Sequence, residues 1–253
     1  MIELYANIGI GHENDWQCIE KRIISAAQCN ADAIILTKTT PILNIPENKR
    51  YVSISSKWGN LPYIEVANKS EIDLENIEKI NKLTEQIGIP IIWCITDTEA
   101  GDWVKENTNC YDIKIHYDSA NNKNLVNFCI DSFNTIRYPG VGNFIELLLE
   151  KYPRSVDKEK ISIYHAPKKF PCTIEEINLK KITEYKNIPN IKIGYEGRCP
   201  DIFPDCAVVF KDVNYIEKYL GDEEEFNSTV LTPQKFYDFF VNMNQLEIAN
   251  GKN

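Results

Sequence analysis

The chain predicts an α/β fold, a (β/α)8 TIM barrel, as a single domain over residues 1–253. Three observations predict it. Eight short β-branched runs occur, they alternate with amphipathic stretches from end to end, and 253 residues is a usual length for such a barrel. A doubly wound sheet shares the alternation. It calls for a Gly-rich phosphate turn after the first strand, and Gly9-Ile10-Gly11 lacks the later glycine.

The expected strands are Ile2–Ile10, Ala33–Thr37, Pro90–Ile95, Tyr111–His116, Phe133–Tyr138, Lys160–His165, Asn190–Tyr195 and Asp212–Leu220. Runs such as Ala33-Ile34-Ile35-Leu36 are apolar throughout, as strands covered on both faces should be. The first helix is Asp15–Gln28, with Cys18, Ile19, Ile23, Ile24 and Ala27 at helical spacing. Ser70–Ile87 follows, with Asp73 near its start and Gly88 as its stop. The remaining helices are Thr98–Asn107, Asn122–Ser132, Gly142–Tyr152, Thr173–Tyr185 and Thr232–Leu246. Thr173-Ile174-Glu175-Glu176 is a capping box, because a threonine hydroxyl and a glutamate three residues later satisfy each other's backbone N–H groups. Lys38–Lys69 is the one long connection, a second βα loop at 38–69 that is expected to shape the active face.

Composition narrows the partners. Twenty-eight Lys+Arg against 37 Asp+Glu give a net charge of −9, which suits neither a nucleic-acid backbone nor an anionic membrane. No apolar run is long enough to span a bilayer, and Met1-Ile2-Glu3-Leu4-Tyr5 has neither the basic nor the apolar region of a signal peptide. Eight cysteines are spread singly, with no C-x-x-C pair. They are expected as reduced thiols of a cytoplasmic protein, without a structural zinc site.

A barrel carries its chemistry at the C-terminal ends of its strands. The three histidines, His12, His116 and His165, fall at or just past such ends on the first, fourth and sixth strands. Lys114, two residues before His116, interrupts an apolar strand and is expected at the barrel mouth. Arg198, after the seventh strand, could join it in clamping a carboxylate or phosphate; the alternative is an arginine paired with Glu196. His116 or His165 would be the acid/base, since imidazole titrates near neutrality. Cys94 or Cys199 as a nucleophile is a further possibility, Cys199 beside the cation of Arg198. The acidic run at Asp222-Glu223-Glu224-Glu225 reads as a solvated turn.

These segments resemble the barrel of the N-acetylneuraminate (sialic acid) synthase family from Ala6 to about Met243. Ala6-Asn7-Ile8-Gly9-Ile10-Gly11-His12-Glu13-Asn14-Asp15 is similar to the family's opening A-E-I-G-x-N-H-N-G-D. Ala31-Asp32-Ala33, Ser56-Lys57-Trp58-Gly59, Ile113-Lys114-Ile115, Tyr164-His165 with Phe170-Pro171, Ile193-Gly194-Tyr195 and Ile216-Glu217-Lys218 resemble later motifs in the family's order. The resemblance implies carbohydrate (nonulosonate) biosynthesis, in which phosphoenolpyruvate condenses with an N-acetyl amino sugar with a divalent metal. It also implies that Lys114 matches a phosphoenolpyruvate-binding lysine and His165 a metal ligand.

The departures matter as much. Asn7 stands at the family's catalytic glutamate and cannot take a proton near neutral pH. Ile35 replaces a phosphate lysine, Arg198 a metal histidine, and Tyr219 the histidine of I-E-K-H. The third strand's S-T-P becomes Trp93-Cys94-Ile95, and the fifth's S-T-G becomes Tyr138-Pro139-Gly140. The chain ends at Asn253, where the family continues into an antifreeze-like domain that completes a partner's site. The expectation is therefore a site with catalytic positions at Asn7, His116 and His165. Substrate-binding positions are His12, Cys94, Lys114, Tyr138, Arg198 and Tyr219. No metal or other cofactor is expected, because His165 is the only matching ligand retained. The expected partner is a small sugar or carboxylate, with a homodimer or a partner enzyme possible. The alternative is a non-catalytic barrel that binds a sugar or a working synthase, its pocket filled by Trp93, Ile35 and Tyr138.

Overall fold

A computed structural model describes residues 1–9, 11–141, 160–188, 190–222 and 229–251. Eight parallel strands close on themselves. In chain order they are β1 (Glu3–Gly9), β2 (Ala33–Lys38), β5 (Ile91–Ile95), β6 (Asp112–Ile115), β7 (Thr135–Pro139), β8 (Ile161–His165), β9 (Lys192–Glu196) and β10 (Tyr215–Leu220). Each pairs with the next, and β1 pairs with β10 through a register running from Glu3–Tyr215 to Asn7–Tyr219. Closure removes the exposed sheet edges. All eight expected strands are present, and the fold is the (β/α)8 barrel.

The two faces of each strand have different tasks. Ile34, Leu36, Trp93, Ile95, Ile113, Ile115, Ile136 and Tyr138 join the large core between strands and helices. Tyr5, Ala33, Ile35, Ile92, Cys94, Tyr164 and Tyr215 form a second cluster inside the barrel. Successive side chains on a strand point to opposite sides, so the period of two sorts residues between these layers. Gly194 shows the tightness of the inner layer: a Cβ there would lie 2.1 Å from the Tyr215 ring.

The helices follow the sequence with three adjustments. The segment 70–87 is the end of one helix, Tyr63–Ser70, and a second helix, Leu74–Ile87, capped by the Asp73 carboxylate on the Asn76 N–H. Gly88 ends that second helix in the left-handed conformation at φ 80°, which an L side chain rarely adopts. The segment 173–185 divides into Ile174–Ile177, with the capping box at Thr173 and Glu176, and Lys180–Tyr185, because Asn178 takes a left-handed φ of 46°. A short helix at Phe203–Ala207 follows β9, in a stretch without helical periodicity. The expected helix Gly142–Tyr152 and residues 223–225 of the acidic run lie outside the described residues.

The long second loop is structured. Two single-turn helices, Pro41–Asn44 and Glu47–Arg50, lead into a hairpin of β3 (Ser53–Ser56) and β4 (Gly59–Pro62). The Asp97 carboxylate accepts from the N–H and hydroxyl of Thr40, and Lys57 near the hairpin tip donates to the Glu13 carbonyl at 3.1 Å. The loop is thus pinned beside the C-terminal end of the barrel. No helix among the described residues is long and apolar enough to cross a membrane, and all eight cysteines are free thiols.

Candidate functional site

The inner faces of β1, β6, β9 and β10 bring charged side chains together below the C-terminal rim. Lys114 is 2% exposed, and its Nζ lies 2.9 Å from Glu196 Oε2 and 2.6 Å from both oxygens of Glu217. Arg198 Nε donates to Glu196 Oε1 at 2.5 Å, and the Tyr219 hydroxyl donates to the same oxygen at 2.9 Å. Asn7 Nδ2 donates to Glu217 Oε1 at 2.7 Å, while its Oδ1 accepts from the Gly9 N–H. Rings line the cations: Lys114 lies 4.6 Å from the Tyr164 centroid and Arg198 4.7 Å from that of Tyr117. Arg198 also donates to the Pro167 carbonyl at 3.0 Å, and Phe170 packs on Tyr219.

Two cations and two carboxylates, all buried, make a cluster of zero net charge. Its members polarise one another. Burial opposes ionisation of Glu196, but Lys114 and Arg198 outweigh that and hold it well below the usual carboxylate range. Burial raises Glu217, and the Glu196 charge adds to the rise while Lys114 counters it. The environments therefore push two neighbouring carboxyls apart, an arrangement often associated with proton handling.

The expected anion clamp is thus closed on the chain's own carboxylates. Lys114 and Arg198 do meet, but Glu196 sits between them, and the pairing of Arg198 with Glu196 occurs inside the barrel. Sequence reasoning missed Glu217 as a member. Part of the signal was available: Glu217 is a charge inside a buried strand, and it shares the inward parity of Tyr219, while its neighbour Lys218 has the opposite parity. A second buried pair was also missed. Lys218, of opposite parity, faces the helices and bonds Asp205 Oδ2 at 2.5 Å and the Cys199 carbonyl at 2.8 Å, while the Tyr195 hydroxyl also donates to Asp205.

The histidines do not converge. His165 faces outward: its Nε2 is 2.5 Å from the Ile177 carbonyl, and its ring lies between Tyr185 and Tyr195. Strand parity is the reason, since Tyr164 takes the inward place. His116 sits at the rim beside the cluster, its Nδ1 accepting from the Asp118 N–H at 3.3 Å. Burial lowers its pKa, with the Glu196 charge opposing. His12 is buried in the turn after β1, where its Nδ1 accepts from the Asn14 N–H and its Nε2 has no partner. Burial, with the charges of Arg22 and Lys57, lowers it to about 4. Of the three, only His116 stands beside the charged cluster; His165 faces the helices and His12 lies in the turn after β1.

The remaining candidates divide by parity. Cys94 and Ile35 face inward, and Cys94 lies close to Lys114, yet burial pushes its thiol up to about 12. An activated thiolate there conflicts with that shift. Trp93 and Tyr138 do not fill the pocket: Trp93 packs edge-on against Trp103, and the Tyr138 hydroxyl bonds the Ala120 carbonyl in the helix layer.

The donors present do not suit a divalent cation. Glu196 and Glu217 already carry an ammonium and a guanidinium, Arg198 adds a fixed positive charge, and His165 turns away. Among the described residues, no three His, Cys, Asp or Glu side chains are grouped as a metal would need.

Known proteins share this framework. The N-acetylneuraminic acid (sialic acid) synthetase of Leptospira borgpetersenii, solved in complex with citrate, superposes with a TM-score of 0.85 at 17% identity, covering 99% of this chain and 85% of that one. A spore coat polysaccharide biosynthesis protein of Bacillus subtilis gives 0.78 at 18% identity, over 99% of this chain and 70% of its own. In sequence, the N,N'-diacetyllegionaminic acid synthase of Campylobacter jejuni is 19% identical over 258 aligned residues, spanning 98% of this chain and 77% of that protein. Residues 22–253, most of the chain, match the model of the NeuB family, and the chain belongs to that family.

Proposed function

We propose that the chain serves cytoplasmic carbohydrate biosynthesis, in the making of nine-carbon sugar acids, as a barrel that binds a sugar at its C-terminal mouth without metal-dependent condensation of phosphoenolpyruvate. One observation carries this reading: the buried cluster of Lys114, Arg198, Glu196 and Glu217 is neutral by itself. A phosphate and a carboxylate need uncompensated cations, and here each cation already holds a carboxylate within 2.9 Å. An uncharged sugar needs hydrogen-bond partners and aromatic faces, which Tyr117, His116, Phe170 and Tyr219 offer around the rim. Thermal shift measurements with N-acetylmannosamine and with phosphoenolpyruvate test it, each with and without manganese. Stabilisation by the sugar alone is expected. Stabilisation by phosphoenolpyruvate, strengthened by manganese, would overturn the reading.

A second reading, metal-free condensation, is favoured by one contact. Asn7, at the position of the family's catalytic glutamate, is bonded to Glu217, so a carboxyl with a raised pKa stands next to the lost one. Steady-state consumption of phosphoenolpyruvate with N-acetylmannosamine and chelator separates the two: turnover abolished by Glu217→Gln supports condensation, and no turnover leaves the binding barrel.

A further inference from the structure

The opposite end of the barrel holds a cleft of about 760 Å³, within the range of small-molecule pockets. The N-terminal face of such a barrel is ordinarily closed by packed side chains. Here the floor is the guanidinium of Arg137, a residue only 7% exposed, flanked by the rings of Tyr5 at 5.1 Å and Tyr215 at 5.6 Å. Its Nη2 donates to the Tyr5 hydroxyl at 3.3 Å and lies 3.6 Å from Asp112, but Nε and Nη1 have no acceptor. A buried guanidinium so weakly compensated attracts an anionic group beside it.

The walls carry both signs of charge, with Asp112, Asp212 and Glu247 also on the lining and the Met1 ammonium partly offsetting Asp32. The strand register places Arg137, Ser162 and Lys192 side by side on β7, β8 and β9, two cations with a hydroxyl between them. Across the barrel, Glu3 on β1 and Asp32 just before β2 face the same cleft. Asp32 accepts from the Leu4 N–H and Glu3 from the Tyr5 hydroxyl, so both keep free acceptor capacity. A dianion would meet this acidic wall, and a simple cation would meet Arg137.

We propose that the cleft binds a small zwitterion of the free amino-acid kind, its carboxylate toward Arg137 and Lys192 and its ammonium toward Glu3 and Asp32. No residue is shared with the C-terminal cluster, so this site stands or falls apart from the sugar reading. Calorimetric titration with the common L-amino acids, their methyl esters and their deaminated acids tests it on the full chain. At least one amino acid binds at about 1 mM, and both its ester and its deaminated acid bind about tenfold more weakly or worse. Lys192→Ala, at an exposed position, weakens binding about fivefold or more with the melting temperature in buffer unchanged. Arg137→Gln abolishes binding; should that variant not fold, Lys192→Ala decides. Absence of binding by every amino acid at about 10 mM would overturn the proposal, as would an ester that binds equally well or affinity unmoved by Lys192→Ala.

Discussion

Replacing Lys114 with methionine tests whether the cluster is as dry and tightly coupled as its geometry. The substitution keeps the volume of the stem and removes one charge that touches three carboxylate oxygens within 2.9 Å. Glu196 keeps Arg198 and Tyr219, but Glu217 keeps only the Asn7 amide among the contacts described above. Breaking a buried pair from one side costs about 3–5 kcal/mol. Glu217 has an escape, because it can take a proton. From an ordinary value of 4.5, protonation at pH 7 costs about 3.4 kcal/mol, and at pH 5 only about 0.7. The penalty at pH 7 should therefore lie near 3–4 kcal/mol and shrink by about 2–3 kcal/mol at pH 5, relative to the unsubstituted chain. Urea titrations followed by circular dichroism at both pH values measure it. Adding Glu217→Gln should recover most of the loss at pH 7. A penalty under about 1 kcal/mol, or one that does not change with pH, would mean that water already screens the site and that the neutral-cluster argument fails.

Three other outcomes follow from individual side chains. His12 takes its proton near 6.5 when unfolded and near 4 when folded, so the stability present above pH 6.5 is lost as the pH falls toward 4, by up to about 3 kcal/mol; urea titrations of His12→Gln should show a shallower acid slope, and an equal slope would contradict the assignment. With its thiol pushed up to about 12 by burial, Cys94 should resist iodoacetamide at pH 8 until denaturant is added, as read by peptide mass spectrometry. Gly194→Ala drives a methyl to 2.1 Å from the Tyr215 ring, and overpacking of that kind should cost about 1–3 kcal/mol or more in a thermal melt.

The barrel was legible because its signals are local and repeated. Apolar strands, Asp73, Gly88 and Thr173 mark their elements through chain chemistry alone. The site was legible only in part, and the reason is parity. Position along a strand says that a residue is near the rim, but a shift of one residue decides between pocket and helix layer. His165, Trp93 and Tyr138 looked like pocket residues by alignment with the resembling family, and all three face the helices. Lys114 was placed correctly by a different argument, the cost of a charge in an apolar strand. In β10 the same argument meets two adjacent charges, Glu217 and Lys218, which face opposite sides, so only parity tells which of them joins Lys114. Arg198 could not be resolved that way, because it lies past the strand end, where no alternation constrains it.

The departures from the family pattern also explain one another physically. A guanidinium at position 198 cannot be buried without an anion, and Glu196, two residues earlier at the end of the same strand, supplies it at 2.5 Å. A histidine at 219 could accept or donate, whereas the tyrosine hydroxyl can donate to that same carboxylate without carrying a charge of its own. Glutamate at position 7 would stand a third carboxylate against Glu217, with Lys114 as the nearest shared cation, and like charges at hydrogen-bond distance cannot all remain ionised. Asparagine keeps the shape and turns repulsion into a donated hydrogen bond at 2.7 Å. These positions thus form one electrostatic unit in which each replacement makes the next tolerable. Restoring glutamate at position 7 or histidine at position 198 would leave this unit with an excess of buried negative charge.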